Sequence, residues 1–138
     1  MRTDDGDAPE ETDWWSAMRA AVSGREALEL FVEGVGPLYA RAAGVSEVLR
    51  AAAITDDELR MLWKHHDDMQ VAGFRRVIDL VVAKGSLRTG LDPGRATDVL
   101  LTVFGDTTYV LLTSERGWSD SDVVTWLTDA LPRLLLEA

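Results

Sequence analysis

The sequence predicts an all-α domain, and three observations carry that prediction. Apolar residues recur at helical i, i+3, i+4 spacing along nearly the whole chain, and no segment sustains the period-2 alternation of a strand. The gaps between these stretches carry helix start and stop signals rather than hairpin turns. With 138 residues, 46% of them hydrophobic and 28% charged, the chain can close one core and is too apolar for a disordered protein.

The elements follow in order. Residues 1–12 are polar, acidic and contain Gly6 and Pro9, so they predict a flexible tail preceding one domain over residues 13–138. Thr12 or Asp13 caps a short helix over Trp14–Val22. Ser23 with Glu26 forms a capping box, each side chain satisfying an amide that the first turn leaves open. It opens a helix to about Ala43 through Leu28, Phe31, Val32, Val35, Leu38, Tyr39 and Ala42. Gly36-Pro37 is expected to bend it, because Pro37 has no amide to donate. Gly44 is expected to end it, with a brief helix following over Ser46–Ile54.

Thr55 with Glu58 reads as a second capping box, opening the longest helix, Asp56–Lys84, which Gly85 stops. Asp92-Pro93 is an N-cap followed by proline at the first helical position, and the helix it starts is expected to reach Arg116. Gly117 suits a left-handed C′ residue, with Trp118 folding back on the last turn. Ser119 and Asp122 start the final helix, kinked at Pro132.

Composition excludes several classes. No stretch approaches the ~20 apolar residues that span a bilayer. The acidic N-terminus lacks the basic and apolar regions of a secretory signal. There is no cysteine for a disulfide or thiolate site, and a cytoplasmic protein is expected. The net charge is −10, half of it from six acids against Arg2 in residues 1–13. No run of Lys and Arg forms a stripe, so no nucleic-acid binding by this chain alone is expected, and no membrane association.

On a helical wheel the long helix gathers Leu59, Leu62, Trp63, Gly73, Phe74, Val77, Leu80 and Val81 on one face. His66 and Gln70, one turn apart, interrupt that face. Buried polar groups need partners. One reading makes them a satisfied core pair. The other makes them the polar floor of a ligand cavity, walled by Trp63, Met69 and Phe74, with Phe31, Tyr39 and Phe104 adding apolar surface and Thr107 a hydroxyl. On the cavity reading, truncating His66 is expected to leave the fold largely intact. His65 and Asp68 share a face but supply only two of the three or four ligands a metal needs, so no metal and no cofactor are expected.

The last two long helices have unusually wide apolar arcs, which suggests two buried faces on each. Leu101, Gly105, Thr108 and Leu112, with Val124, Leu127, Leu131 and Leu135, are the expected homodimer interface, a four-helix bundle between subunits. The alternative is a monomer that covers both faces itself. No phosphate loop, HExxH or nucleophile elbow is present. His66 could serve as a base beside Asp106, Tyr109 or Tyr39, but spacing alone does not bring them together.

The closing stretch ERGWSDSDVVTWLTDALPRLLL (Glu115–Leu136) resembles the end of many tetracycline-repressor (TetR) family regulators. LRAAAITDDELRMLW (Leu49–Trp63) and GSLRTGLDP (Gly85–Pro93) resemble the regulatory half of the same family, in the same order. The resemblance implies a TetR-type ligand-binding and dimerisation domain over residues 13–138, a cavity lined by the long helix, and a hydrophobic small-molecule ligand. It also implies an N-terminal helix-turn-helix head, for which this sequence has no counterpart. The expected function is small-molecule sensing in a transcriptional regulator, typically a repressor. The alternative is a stand-alone binder or cofactor-free enzyme.

Overall fold

A computed structural model describes residues 13–137. The fold is all-α, with no strand among the described residues. Helices α1 (Asp13–Ala20), α2 (Gly24–Ala52) and α3 (Asp57–Lys84) are followed by α4 (Pro93–Phe104) and α5 (Asp106–Val110). A π-helical turn over Leu111–Glu115 and helix α6 (Asp120–Leu135) complete it. No helix is long and apolar enough to cross a membrane among the described residues. The expected tail over residues 1–12 lies outside them.

The start signals act locally. Ser23 Oγ accepts from the Glu26 amide at 3.1 Å, while the Glu26 carboxylate reaches back to the Val22 amide. Asp92 accepts from the Arg95 amide at 2.8 Å ahead of Pro93. Ser119 and Asp122 form a reciprocal capping box. Gly117 adopts φ +80°, a left-handed conformation that only glycine takes without strain. Helix α3, however, is capped by Asp56, whose carboxylate accepts from the Leu59 amide, rather than by Thr55.

Two expected boundaries are corrected. Gly44 does not end α2, which continues unbroken to Ala52. A glycine inside a helix costs only about 1 kcal/mol, too little to stop one that has a partner helix. Conversely, the helix from Pro93 does not reach Arg116. It stops at Phe104, Gly105 turns extended at φ −73° and ψ 163°, and a new short helix starts. A Cβ on Gly105 would lie 2.3 Å from the Leu101 carbonyl oxygen, so the sharp break is open only to glycine.

The core is built on α2. Phe31 meets Phe74 of α3 and Phe104 of α4 edge-to-face, with ring centroids 5.5 Å apart in both pairs. Met18 of α1, Ile78 and Val81 of α3, and Leu100 of α4 are fully enclosed around it. Helix α1 lies so close that a Cβ at Gly34 would fall 2.3 Å from the Trp14 side chain, and α6 crosses α2 where Gly36 leaves room for Val124. The 85–89 segment is stapled to the end of α6. Arg88 N donates to Leu135 O, Glu137 N donates to Ser86 O, and Leu87 bridges Leu136.

The remaining helices do not cover the whole α2–α3 hairpin. From residue 40 to 65 its side chains are mostly exposed, with Ala53 as the buried exception. Val45, Val48, Ile54 and Met61 stand at least 70% exposed there.

The expected interface set divides by burial. Leu127, Leu131 and Leu135 are at most 1% exposed, and Gly105 is also buried, so none of these side chains has surface for a second copy to cover. With Val123 they form the stripe that α6 presents to its own subunit's core. This corrects their assignment. A wide apolar arc does not reveal from sequence which edge faces inward. Leu101, Thr108, Leu112 and Val124 keep partial exposure. On α6 the outward apolar residues are Trp126 and Leu134, each 41% exposed.

Candidate functional site

A cavity of about 590 Å³ lies along the seam of α1, α2 and α3. Trp14 lines it from α1, and Phe31, Val35, Leu38 and Tyr39 from α2. Helix α3 supplies His65, His66, Met69, Gln70, Gly73, Phe74 and Val77. The periodicity of α2 and α3 explains this: each turns one apolar stripe toward the other, and the stripes separate where Gly73 leaves a side chain's space unfilled. Nothing lies within 4 Å of a Cβ built there.

The polar floor is two pairs. His66 Nε2 lies 3.0 Å from Asp106 Oδ2, joining residues 40 apart in sequence. Gln70 Nε2 donates to the Tyr39 hydroxyl at 3.2 Å. Both pairs exist because of the α4–α5 break. Without it, Asp106 would continue the α4 spiral; instead it occupies the first turn of α5, directed at α3, and the Gln70 amide abuts Gly105. Asp106 is only 5% exposed, and among the described residues its one hydrogen-bond partner is His66.

Burial, and secondarily the neighbouring Asp106 carboxylate, push the Tyr39 hydroxyl well above the ordinary tyrosine range, so it stays protonated and able to donate. Its ring packs against Phe104 at 5.0 Å and Tyr109 at 5.6 Å. Tyr109 in turn donates to Asp120 at the start of α6. The floor is therefore tied through α5 to the beginning of the last helix.

Of the predicted site residues, Phe31, Tyr39, His66, Met69, Gln70 and Phe74 line the cavity. Trp63 does not; its ring lies beside the imidazole of His66, with centroids 5.6 Å apart. Phe104 is enclosed in the core at 1% exposure, and Thr107 is exposed away from the cavity. Both were placed by extending one helix past Gly105, and the break rotates everything after it. Trp14, Val35, Leu38, His65, Gly73 and Val77 were not anticipated. Gly73 carried a usable signal, as a glycine in the middle of an otherwise apolar helical face.

Two other cavities lie apart from this chemistry. One of about 700 Å³ is bordered by Arg25, Lys84, Arg88 and Arg133. Those bases are engaged in holding the fold: Lys84 donates to the Arg19 and Ala21 carbonyls that close α1, and Arg88 to the Arg133 carbonyl. The other, about 530 Å³, lies between α2 and α6 beside Pro37 and Val124. No group of three metal-ligating side chains occurs among the described residues. Comparison of the chain with protein-family models, curated proteins and solved structures returns no match.

Proposed function

We propose that this chain is the small-molecule-sensing, dimerising domain of a TetR-type transcriptional regulator, acting in the cytoplasm and carrying no DNA-reading head of its own. One observation carries the reading: a cavity of about 590 Å³ with apolar walls and a floor of two cross-helix polar pairs. This is the size and chemistry of a site for a drug-sized, largely apolar ligand with one or two polar groups. The order of the three sequence stretches named above supports the family. The outward stripe of Trp126 and Leu134, with Leu101, Thr108, Leu112 and Val124, is the face a second subunit covers. Because Asp106 bridges the cavity to α5, and Tyr109 bridges α5 to α6, occupancy and dimer geometry share one set of contacts.

Replacing Gly73 with Leu tests the reading. The site is open, so the new side chain fills the cavity without displacing its neighbours, and helix propensity rises by about 1 kcal/mol. Binding of an apolar environment-sensitive dye such as Nile red is expected to be lost while the melting temperature holds or rises. Dye binding unchanged by Gly73→Leu would remove the cavity from consideration. The His66–Asp106 pair favours a second reading, a cofactor-free enzyme using His66 as general base. It differs in predicting turnover rather than binding alone.

A further inference from the structure

We infer that the cavity selects hydrophobic weak acids, compounds with an apolar body and an ionisable phenol or enol hydroxyl, and that His66 accepts the hydroxyl proton. This rests on the cavity reading above and adds the class of ligand to it. The chain holds 24 acidic residues and two histidines. Among the described residues none of those acids lines the cavity, whereas both histidines do. Asp106 stands behind His66, buried and outside the lining, so a ligand meets the imidazole and not the carboxylate. A cationic ligand finds no counter-charge at the wall; an acidic one finds a base.

The tautomer follows from the geometry. With Asp106 Oδ2 accepting from Nε2–H at 3.0 Å, the neutral ring carries its proton there, and Nδ1 is its basic nitrogen. On transfer, the ligand O–H bond breaks and an N–H bond forms at Nδ1. The electron pair stays on the ligand oxygen, and the imidazolium is held between that oxyanion and Asp106. The net charge of the site does not change, so the transfer adds no uncompensated charge to a partly buried place. The other groups facing this pair are His65 on α3, and Tyr39 and Arg50 on α2, both within electrostatic reach of Asp106. Tyr39 is protonated and Gln70 carries an amide, so the adjoining floor can bind a second, neutral oxygen of the ligand.

The test uses a nitro-substituted naphthol, whose phenolate absorbs at longer wavelength than its phenol, alongside its methyl ether. At a pH below the free naphthol's own titration, the naphthol is expected to bind at least tenfold more tightly than the ether and to show the phenolate spectrum when bound. In His66→Gln, with folding verified by circular dichroism, the two compounds are expected to bind alike and the phenolate band to vanish. Equal wild-type affinities, or a bound naphthol that keeps its phenol spectrum, overturn the inference. If the ether then still binds and Gly73→Leu abolishes it, the cavity reading survives alone. If neither compound binds the wild-type protein, both fall. The wild-type spectrum decides the question even if His66→Gln fails to fold.

Discussion

Asp106 is a buried carboxylate with a single hydrogen-bonding side chain, and removing that side chain measures what the pair contributes. In His66→Ala the carboxylate stays 5% exposed in the wild-type geometry and loses its partner at 3.0 Å. Stranding one member of a fully buried ion pair costs about 3–5 kcal/mol. Here the His66 side chain is 37% exposed, so the vacated volume opens to solvent and water can replace part of the lost bond. A destabilisation of about 2 kcal/mol is therefore expected, toward the middle of the range for an unsatisfied buried group. Asp106→Ala removes the group needing satisfaction, and the double variant should cost less than the two single changes added, with a coupling of about 1–2 kcal/mol. Urea denaturation at neutral pH, followed by tryptophan fluorescence at one protein concentration, gives all four corners of the cycle. Additive costs, or a His66→Ala variant within about 0.5 kcal/mol of wild type, would show that Asp106 does not depend on His66. The outcome expected here replaces the sequence-based expectation that this truncation leaves stability alone, since Asp106 could not be identified as its partner from spacing.

Other perturbations separate core from surface. Leu131→Ala, at 0% exposure, is expected to lower stability by about 2–5 kcal/mol in denaturant melts, with no direct effect on association. Trp126→Glu combined with Leu134→Glu, both on the outward face of α6, is expected to convert a dimer to a monomer in light scattering while the helical circular dichroism persists. A dimer that survives both changes places the interface elsewhere. For Tyr39 the folded state holds the proton more tightly than the unfolded chain, so its contribution is complete below the ordinary tyrosine titration and declines as pH rises past about 10. Melts across the alkaline range should therefore show a steeper loss of stability in wild type than in Tyr39→Phe.

The helical class, the three caps at Ser23, Asp92 and Ser119, and the Gly117 turn were legible because each depends on residues within one turn of the other. His66 and Gln70 were legible as interruptions of an apolar face, a property of one helix. Their partners were not, because Asp106 and Tyr39 reach them from 40 and 31 residues away. The break at Gly105 escaped for the same reason. Its backbone is extended, with no local signal beyond the glycine itself, and the carboxylate contact it serves is tertiary. Leu127, Leu131 and Leu135 show a related ambiguity. Helical spacing sets which residues share a stripe, whereas only the packing of α2 against α6 decides whether that stripe faces inward.

The unequal lengths of the helices have a consequence for local stability. Helices α2 and α3 hold 29 and 28 residues, whereas α6 holds 16. Beyond Tyr39 and His66 the hairpin is held mainly by its own two strands of contact. Amide hydrogen exchange should therefore be graded along it, slow around Phe31 and Phe74 and fast toward Ala52 and Asp57, with the distal part opening as a separate unit. The boundary between the two regimes falls at the polar floor of the cavity. Any compound that bridges Tyr39, His66 and Gln70 would clamp the hairpin at that fulcrum and slow exchange several turns away, in residues it never touches.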